Sequence, residues 1–306
     1  MLLGARVVIT GATGTVALPV AIALAERYDV WAVARFSDRG ARARLEAAGV
    51  RCAVADLEVG DLAAVPDDAE YVVNFAVAKS GDWGRDLDAN AGGIGALMHR
   101  CRSVRAVLHC STTAVYQPAA GPRREDAPLG DNHRVWPALE TYSISKIAAE
   151  AVARMCARQL GIPTTIARLN VPYGPFGGWP AAHLAAILAG QPVPVHATQP
   201  NVFNPIHLDD IVATIPKLLG CASVPATVVN WGGSEPVSIE EWSTYLGELA
   251  GVTPRFLATD QTIQGVQIDT VRMHELIGPT TVPWREGMRR LVDQFAAGRP
   301  NDPRGE

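Results

Sequence analysis

The chain has 306 residues, 48% of them hydrophobic and 19% charged, an ordinary composition for a folded protein that excludes disorder as its main state. Its 27 Lys and Arg stand against 31 Asp and Glu, a net charge of −4, so no basic excess points to nucleic acid or an anionic membrane. The length suits one large α/β domain or two joined lobes.

The longest strongly apolar stretch, Val16 to Ala25, spans ten residues, contains Pro19 and stops at Glu26. A membrane span needs about 20 apolar residues, so none is expected. The start, Met1 to Arg6, lacks the basic n-region and cleavage site of a secretory leader. Five cysteines, Cys52, Cys101, Cys110, Cys156 and Cys221, show no CxxC spacing and fit thiols used as small core residues in a reducing compartment. The expected location is cytoplasmic.

Along the first half, short β-branched runs alternate with helical patterns. Strands are predicted at Arg6 to Thr10, Val30 to Ala34, Arg51 to Ala55, Tyr71 to Phe75 and Ala106 to Cys110. Helices are predicted at Val16 to Tyr28, Ala41 to Ala48, Ala89 to Cys101 and Tyr142 to Leu160, with a further strand over Pro163 to Leu169. This alternation is the signature of an α/β fold with a doubly wound parallel sheet. Beyond Tyr173, prolines and glycines at Pro175, Gly177, Gly178 and Pro180 break the pattern. The expected division is residues 1–174 for a dinucleotide-binding domain, with 204–232 returning to it. Residues 175–203 and 233–306 then form a smaller mixed α/β substrate-binding lobe. The end from Gly298 to Pro303 reads as frayed.

The first strand runs into Thr10-Gly11-Ala12-Thr13-Gly14-Thr15-Val16-Ala17. In a Rossmann domain Gly11 would permit the tight turn, Gly14 the approach of a pyrophosphate, and Ala17 close helix–strand packing at a helix N-terminus. A glycine turn alone is a weak signal, but the strand before it and the helix after it agree. Where NAD-binding domains carry an acid for the ribose 2′-hydroxyl, this chain has Arg35, 24 residues after Gly11. An arginine suits a 2′-phosphate, so NADP is preferred over NAD; a solvated surface arginine is the plainer reading.

Tyr142 and Lys146 are four apart and share a face of a helix. A free phenol, with a pKa of about 10, is a poor base near neutrality, but a neighbouring ammonium favours phenolate. Taken alone such a pair is usually an exposed helix face. Downstream of a dinucleotide loop it is a candidate acid/base.

Val107-Leu108-His109-Cys110 leads into Ser111-Thr112-Thr113-Ala114-Val115-Tyr116. With this pattern the chain resembles the extended short-chain dehydrogenase/reductases, the superfamily of NAD(P)-dependent epimerases and dehydratases. Asp56-Leu57, Asn74-Phe75-Ala76, Asn90-Ala91-Gly92-Gly93, Tyr173-Gly174-Pro175, His207-Leu208-Asp209-Asp210 and Asn230-Trp231-Gly232-Gly233 resemble further landmarks, over nearly the whole chain. The resemblance implies that Thr112 bonds the substrate oxygen and Tyr142 exchanges its proton, while Lys146 lowers the tyrosine pKa and holds the nicotinamide ribose. It also implies cofactor contacts from Gly11, Thr13, Gly14, Thr15, Val16, Arg35, Asp56, Leu57, Phe75, Ala76 and Asn90, besides Tyr142 and Lys146. A homodimer is implied, with the helices after Asn90 and at Tyr142 forming a four-helix bundle.

Two anchors for nucleotide-linked sugars are missing. Counting back from Gly174-Pro175, the uracil-side Asn falls on Val171, with Asn170 one place early. Counting back four from His207, the diphosphate-binding Arg falls on Phe203 and the Asp after it on Asn204. A buried diphosphate without an arginine lacks its bidentate partner, although Lys79 or Arg272 could compensate. The Asp-Glu pair of dehydratases is Thr113-Ala114 here.

Trp179, His183, Phe203 and Trp231, with Trp83 and Trp136 in loops, suit a flatter and less charged substrate, although any one of them is more often core. Lys79, Thr113, Asn170, Val171, Trp179 and Phe203 are the candidate substrate contacts. The seven histidines show no ligand spacing, so no metal is expected. His109 is read as a satisfied core histidine and His207 as a structural one. The expected activity is hydride transfer between nicotinamide and a carbonyl or alcohol of a small, non-nucleotide substrate. The alternatives are an NDP-sugar 4-epimerase with retained NAD, and a non-catalytic NADP sensor or scaffold.

Overall fold

In the computed structural model, residues 3–298 are described. In chain order the elements are β1 (Arg6–Thr10), α1 (Ala17–Ala25), β2 (Asp29–Ala34), α2 (Arg39–Ala47), β3 (Arg51–Val54), β4 (Tyr71–Asn74), α3 (Trp83–Leu87), α4 (Gly93–Arg100) and β5 (Ala106–Thr112). The middle of the chain forms α5 (Tyr142–Leu160), β6 (Thr164–Leu169), β7 (Pro172–Tyr173), α6 (Trp179–Leu188), β8 (Val193–His196), β9 (Val202–Phe203) and β10 (Ile206–His207). The remainder is α7 (Leu208–Gly220), β11 (Thr227–Trp231), β12 (Val237–Ser238), α8 (Ile239–Ala250), β13 (Phe256–Thr259), α9 (Val271–Ile277) and α10 (Trp284–Ala296).

Seven parallel strands form the main sheet in the order β11-β6-β5-β4-β1-β2-β3. The order reverses between β1 and β4, which makes that gap the switch point where open α/β sheets bind ligands. Alternate residues of β1 feed opposite faces: Val7 and Ile9 pack with α1, α2 and α7, whereas Val8 packs with α4 and α5. Between α3 and α4 the helix passes through a π-turn at Asp88–Gly92, so the stretch predicted as one helix from Ala89 is interrupted where Asn90 must turn inward.

Helix α7 packs on α1, β5 and β6, and β11 lies at the sheet edge beside β6. His207 caps α7 by accepting from Asp209 N–H, and Asp209 and Asp210 sit in its positive first turn. The smaller lobe gathers α6, α8, α10 and β9 around Trp242, Phe203, Leu246 and Met288. Helix α8 begins with a capping box between Ser238 and Glu241. One segment departs from the expected division: α9, within 233–306, buries Met273 and Ile277 against α7 and β11 and so belongs to the sheet side. Of the frayed end expected at Gly298 to Pro303, all but Gly298 lies outside the described residues.

A buried ion pair joins the layers. Glu150 on α5 is fully buried and accepts from Arg168 Nε at 2.9 Å, Arg168 Nη2 at 2.8 Å and Ser111 Oγ at 2.6 Å. Burial alone would raise the Glu150 pKa; the Arg168 and Ser111 bonds outweigh it and hold the carboxyl below its usual range. The folded pKa therefore lies below the unfolded value of about 4.3, so this stabilisation is complete at neutral pH and fades as pH falls below that value. Arg168→Met is expected to cost about 3 kcal/mol at pH 7 in urea unfolding, because it leaves the buried carboxylate only Ser111 and the partly exposed Arg154, 3.2 Å away. Its deficit relative to the parent should shrink at pH 4, as the stranded carboxyl protonates; an equal deficit at both pH values would contradict this assignment.

Candidate functional site

The carboxyl ends of β1, β4, β5 and β6 open into two joined hollows of about 390 and 490 Å³, in the size range of small-molecule sites. Gly11, Gly14, Phe75, Val77 and Lys79 line both and form the passage between them.

In the first hollow, Gly11 has φ +64°, and a Cβ there would lie 2.7 Å from the Ala76 backbone, so only glycine lets β1 turn under β4. Gly14 N–H closes the turn onto the Gly11 carbonyl at 2.8 Å. No side chain caps the first turn of α1, so its amide dipoles face the cleft, as a pyrophosphate requires. Thr13, Arg35, Asp56, Leu57 and Ala76 line this hollow, and Thr15 and Val16 line the second. These residues form a cradle that fits a dinucleotide.

Asn90 stands outside both linings. Its side chain accepts from Ala78 N–H at 2.7 Å and donates to the Ala78 carbonyl and Ser145 Oγ, which ties down the loop after β4. Asp86, fully buried, completes the clamp: it accepts from the N–H groups of Ser80 and Gly81, from Ser80 Oγ and from Thr141 Oγ1. Burial opposes its charge, but these bonds prevail and hold its carboxyl below the usual range. Lys79 is thus presented between two anchored positions.

The second hollow holds the candidate trio. Thr112 ends β5, and its hydroxyl accepts from Ala114 N–H at 3.1 Å. Tyr142 opens α5, and Lys146 lies buried one turn on. All three line the same hollow, together with Thr113. The ammonium of Lys146, however, donates to the Cys110 carbonyl at 2.7 Å. Burial drives Tyr142 up to about 12, with the Thr112 hydroxyl acting the other way, and burial pushes Lys146 down. The pull of Lys146 on the phenol, expected from their spacing, is therefore not in effect in this geometry: helical spacing sets a shared face, not the direction of a long flexible side chain.

One wall of this hollow was not visible in the sequence. His133 lines it with its ring edge toward Tyr142, centroids 5.2 Å apart, and its Nδ1 lies 3.3 Å from Ser143 Oγ. Burial lowers its pKa to about 4, so it is neutral at physiological pH. Asn132, Leu139, Phe176, Ile263 and Val266 join it from loops and the lobe. Such loop residues carry no motif; only proximity in space identifies them.

Among the substrate candidates, Lys79, Thr113, Val171, Trp179 and Phe203 line the second hollow. Trp179 meets Phe203 edge-on at 5.4 Å, and Trp136 backs Trp179 at 6.1 Å. Val171 has φ +23°, a strained value for a β-branched residue. Asn170 is not brought in: it is fully buried, donates to the Val266 carbonyl and accepts from Asn204 N–H, which welds two loops. Trp231 belongs to β11 rather than the lobe and donates from its ring N–H to Thr214 Oγ1. His183 is turned to Trp242, whose ring N–H it accepts at 3.0 Å, and Trp83, exposed at the start of α3, lies outside the lining.

Arg272 does not reach the cleft and donates to the Val228 carbonyl. Lys79 and Lys146 are the charged residues of the second hollow's described lining, which includes no arginine and no carboxylate. His109 is only half satisfied: Asn74 Nδ2 donates to its Nδ1 at 2.9 Å, and its buried Nε2 has no hydrogen-bond partner among the described residues. No group of three or more His, Cys, Asp or Glu among the described residues could hold a metal ion. No described helix is long and apolar enough to cross a membrane.

Comparison with known proteins agrees with this fold. Over 222 residues, 68% of this chain and 67% of the other, the sequence is 25% identical to a dTDP-4-dehydro-6-deoxy-D-allose reductase from Streptomyces bikiniensis. The fold is similar to UDP-glucuronic acid 4-epimerase from Bacillus cereus, solved with UDP-glucuronic acid and NAD, at TM-score 0.80 and 19% identity over 95% of this chain and 99% of that one. It is equally similar to UDP-glucose 4-epimerase from Thermotoga maritima, solved with UDP-glucose, at TM-score 0.80 and 20% identity over 96% and 99% of the two chains. Residues 7–230 match the model of the NAD dependent epimerase/dehydratase family, and the chain belongs to that family.

Proposed function

We propose that the protein is an NADP-preferring oxidoreductase that moves a hydride between nicotinamide and a carbonyl or alcohol of a small, non-nucleotide substrate. The observation that carries this reading is the second hollow: Thr112, Tyr142 and Lys146 meet there against an aromatic wall, with no arginine in its described lining to pair with a diphosphate. The nicotinamide, when bound, supplies or accepts the hydride.

The chain's own residues do the rest. Thr112 hydrogen-bonds the substrate oxygen and orients it toward the Tyr142 phenol, which gives up or takes the proton. Lys146 makes phenolate accessible once its ammonium leaves the Cys110 carbonyl for the phenol's surroundings. Trp179 and Phe203 exclude water from the reacting oxygen. Five free thiols support a reducing, cytoplasmic setting. The side-by-side packing of α4 and α5 is compatible with the homodimer implied by family resemblance.

The second reading is a sugar-nucleotide 4-epimerase that retains NAD. It is favoured by the bound molecules of the B. cereus and T. maritima enzymes, and by Lys79 as a cation at the passage between the hollows. Calorimetry with NADPH, NADH and UDP-glucose separates the two. Tight NADPH, weaker NADH and no UDP-glucose binding are expected; co-purified NAD together with UDP-glucose binding would establish the epimerase reading instead.

Tyr142→Phe is expected to lower turnover by about 10²- to 10⁴-fold while leaving NADPH affinity nearly intact. Unaltered turnover would remove Tyr142 from the reaction. In ultraviolet difference titration, the free protein should show no Tyr142 ionisation below about pH 10, and saturating NADP+ should bring it lower. A titration indifferent to NADP+ would exclude the role given to Lys146.

A further inference from the structure

At the far end of the first hollow, beyond β2, two guanidinium groups converge on one carboxylate. Arg85 Nε on α3 lies 3.0 Å from the Glu58 carboxylate, and Arg35 Nη1 lies 3.7 Å from it. All three residues line the hollow. Phe36, directly after Arg35, has φ +52°, which turns the chain sharply at the end of β2. Arg85 is held by its own backbone, whose N–H donates to Asp82, the cap of α3.

The other acids nearby are otherwise engaged: Asp56 accepts from Glu58 N–H, and Asp38 caps α2 through Ala41 N–H. Glu58 is therefore the carboxylate that both arginines share, whereas Asp56, in the same lining, bonds to a backbone amide. The arginines are about half exposed, at 57% and 46% for their side chains, so their hold on Glu58 is weak and readily exchanged. An adenosine 2′-phosphate, with a charge between about −1.5 and −2 and three acceptor oxygens, answers both guanidiniums better than a carboxylate does.

We propose that Glu58 is an internal counter-ion occupying a 2′-phosphate site built by Arg35 and Arg85, and that the protein tells NADP from NAD by displacing this carboxylate. Arg85, fifty-one residues beyond the end of β2, then acts as the second arm of the site. Glu58 keeps the arms positioned when a nucleotide lacking the phosphate is bound. The proposal rests on the NADP reading above and adds the element that sets the preference.

The test is calorimetric titration of 2′,5′-ADP and of 5′-AMP into the full chain and into E58Q and R85A. The parent should favour 2′,5′-ADP. E58Q should bind 2′,5′-ADP about tenfold more tightly with 5′-AMP unchanged, and R85A should lose about tenfold of the preference. If E58Q instead weakens 5′-AMP, Glu58 holds the ribose 2′-hydroxyl and the proposal is overturned. If the parent favours 2′,5′-ADP but neither variant alters the ratio, the NADP reading stands on Arg35 and the Glu58–Arg85 assignment falls. If 2′,5′-ADP binds no better than 5′-AMP to any of the three proteins, both fall.

Discussion

The ion pair between Glu150 and Arg168 is the constraint around which the sheet half of the molecule is arranged. Two charges withdrawn from water are tolerated only when every lone pair and proton is met, so each must recruit neighbours. Glu150 recruits Ser111, the residue before Thr112, and sits one helical turn after Lys146. Arg168 lies over the ring of Tyr116 at 4.8 Å and donates to the Glu125 carbonyl. Tyr116 in turn donates to Asn230 on β11 at 2.6 Å. Satisfying one carboxylate thus sets β5, α5, β6 and β11 relative to one another, and with them the spacing of Thr112, Tyr142 and Lys146.

The smaller lobe is built on a different principle. The chain leaves the sheet at β7 and returns at β10, and these two short strands pair in parallel, so departure and return are stapled together. Gly178, at φ +96°, lies so close that a Cβ would fall 2.3 Å from the Pro172 carbonyl oxygen, and this tight passage starts α6 with Trp179 on the cavity wall. The positive φ of Val171 lies at the same crossing. Strain and close approach are concentrated where the aromatic wall must be placed.

Much of this was legible in the chain itself. The inner strands β1, β4, β5 and β6 are buried along their length because both faces of the sheet are covered there, and their alternation with helical stretches locates them. The glycine turn and the Tyr142–Lys146 spacing are local features, and local features survive the absence of a structure. What could not be read depends on distance in sequence: His133 against Tyr142, Ile263 and Val266 closing the cavity, and Arg85 meeting Glu58. Asn90 and Asn170 look like ligand contacts by position, yet both spend their amides on backbone groups, as buried amides must. Trp231 reads as a lobe aromatic until pairing with β6 places it in the sheet core. The ionisation of Tyr142 was the hardest to foresee, because it turns on which oxygen the Lys146 ammonium faces.

Asp86 has a consequence for the coupling of the two hollows. One carboxylate holds both the loop carrying Lys79, at the passage between the hollows, and Thr141, the residue directly before Tyr142. A molecule that draws Lys79 toward itself therefore pulls on the same node that seats the start of α5. Linkage makes the effect reciprocal: whatever free energy the first occupant transmits to the second hollow, an occupant there returns to the first. This shared node is a physical route by which occupancy of one half of the cleft is felt in the other, in either direction.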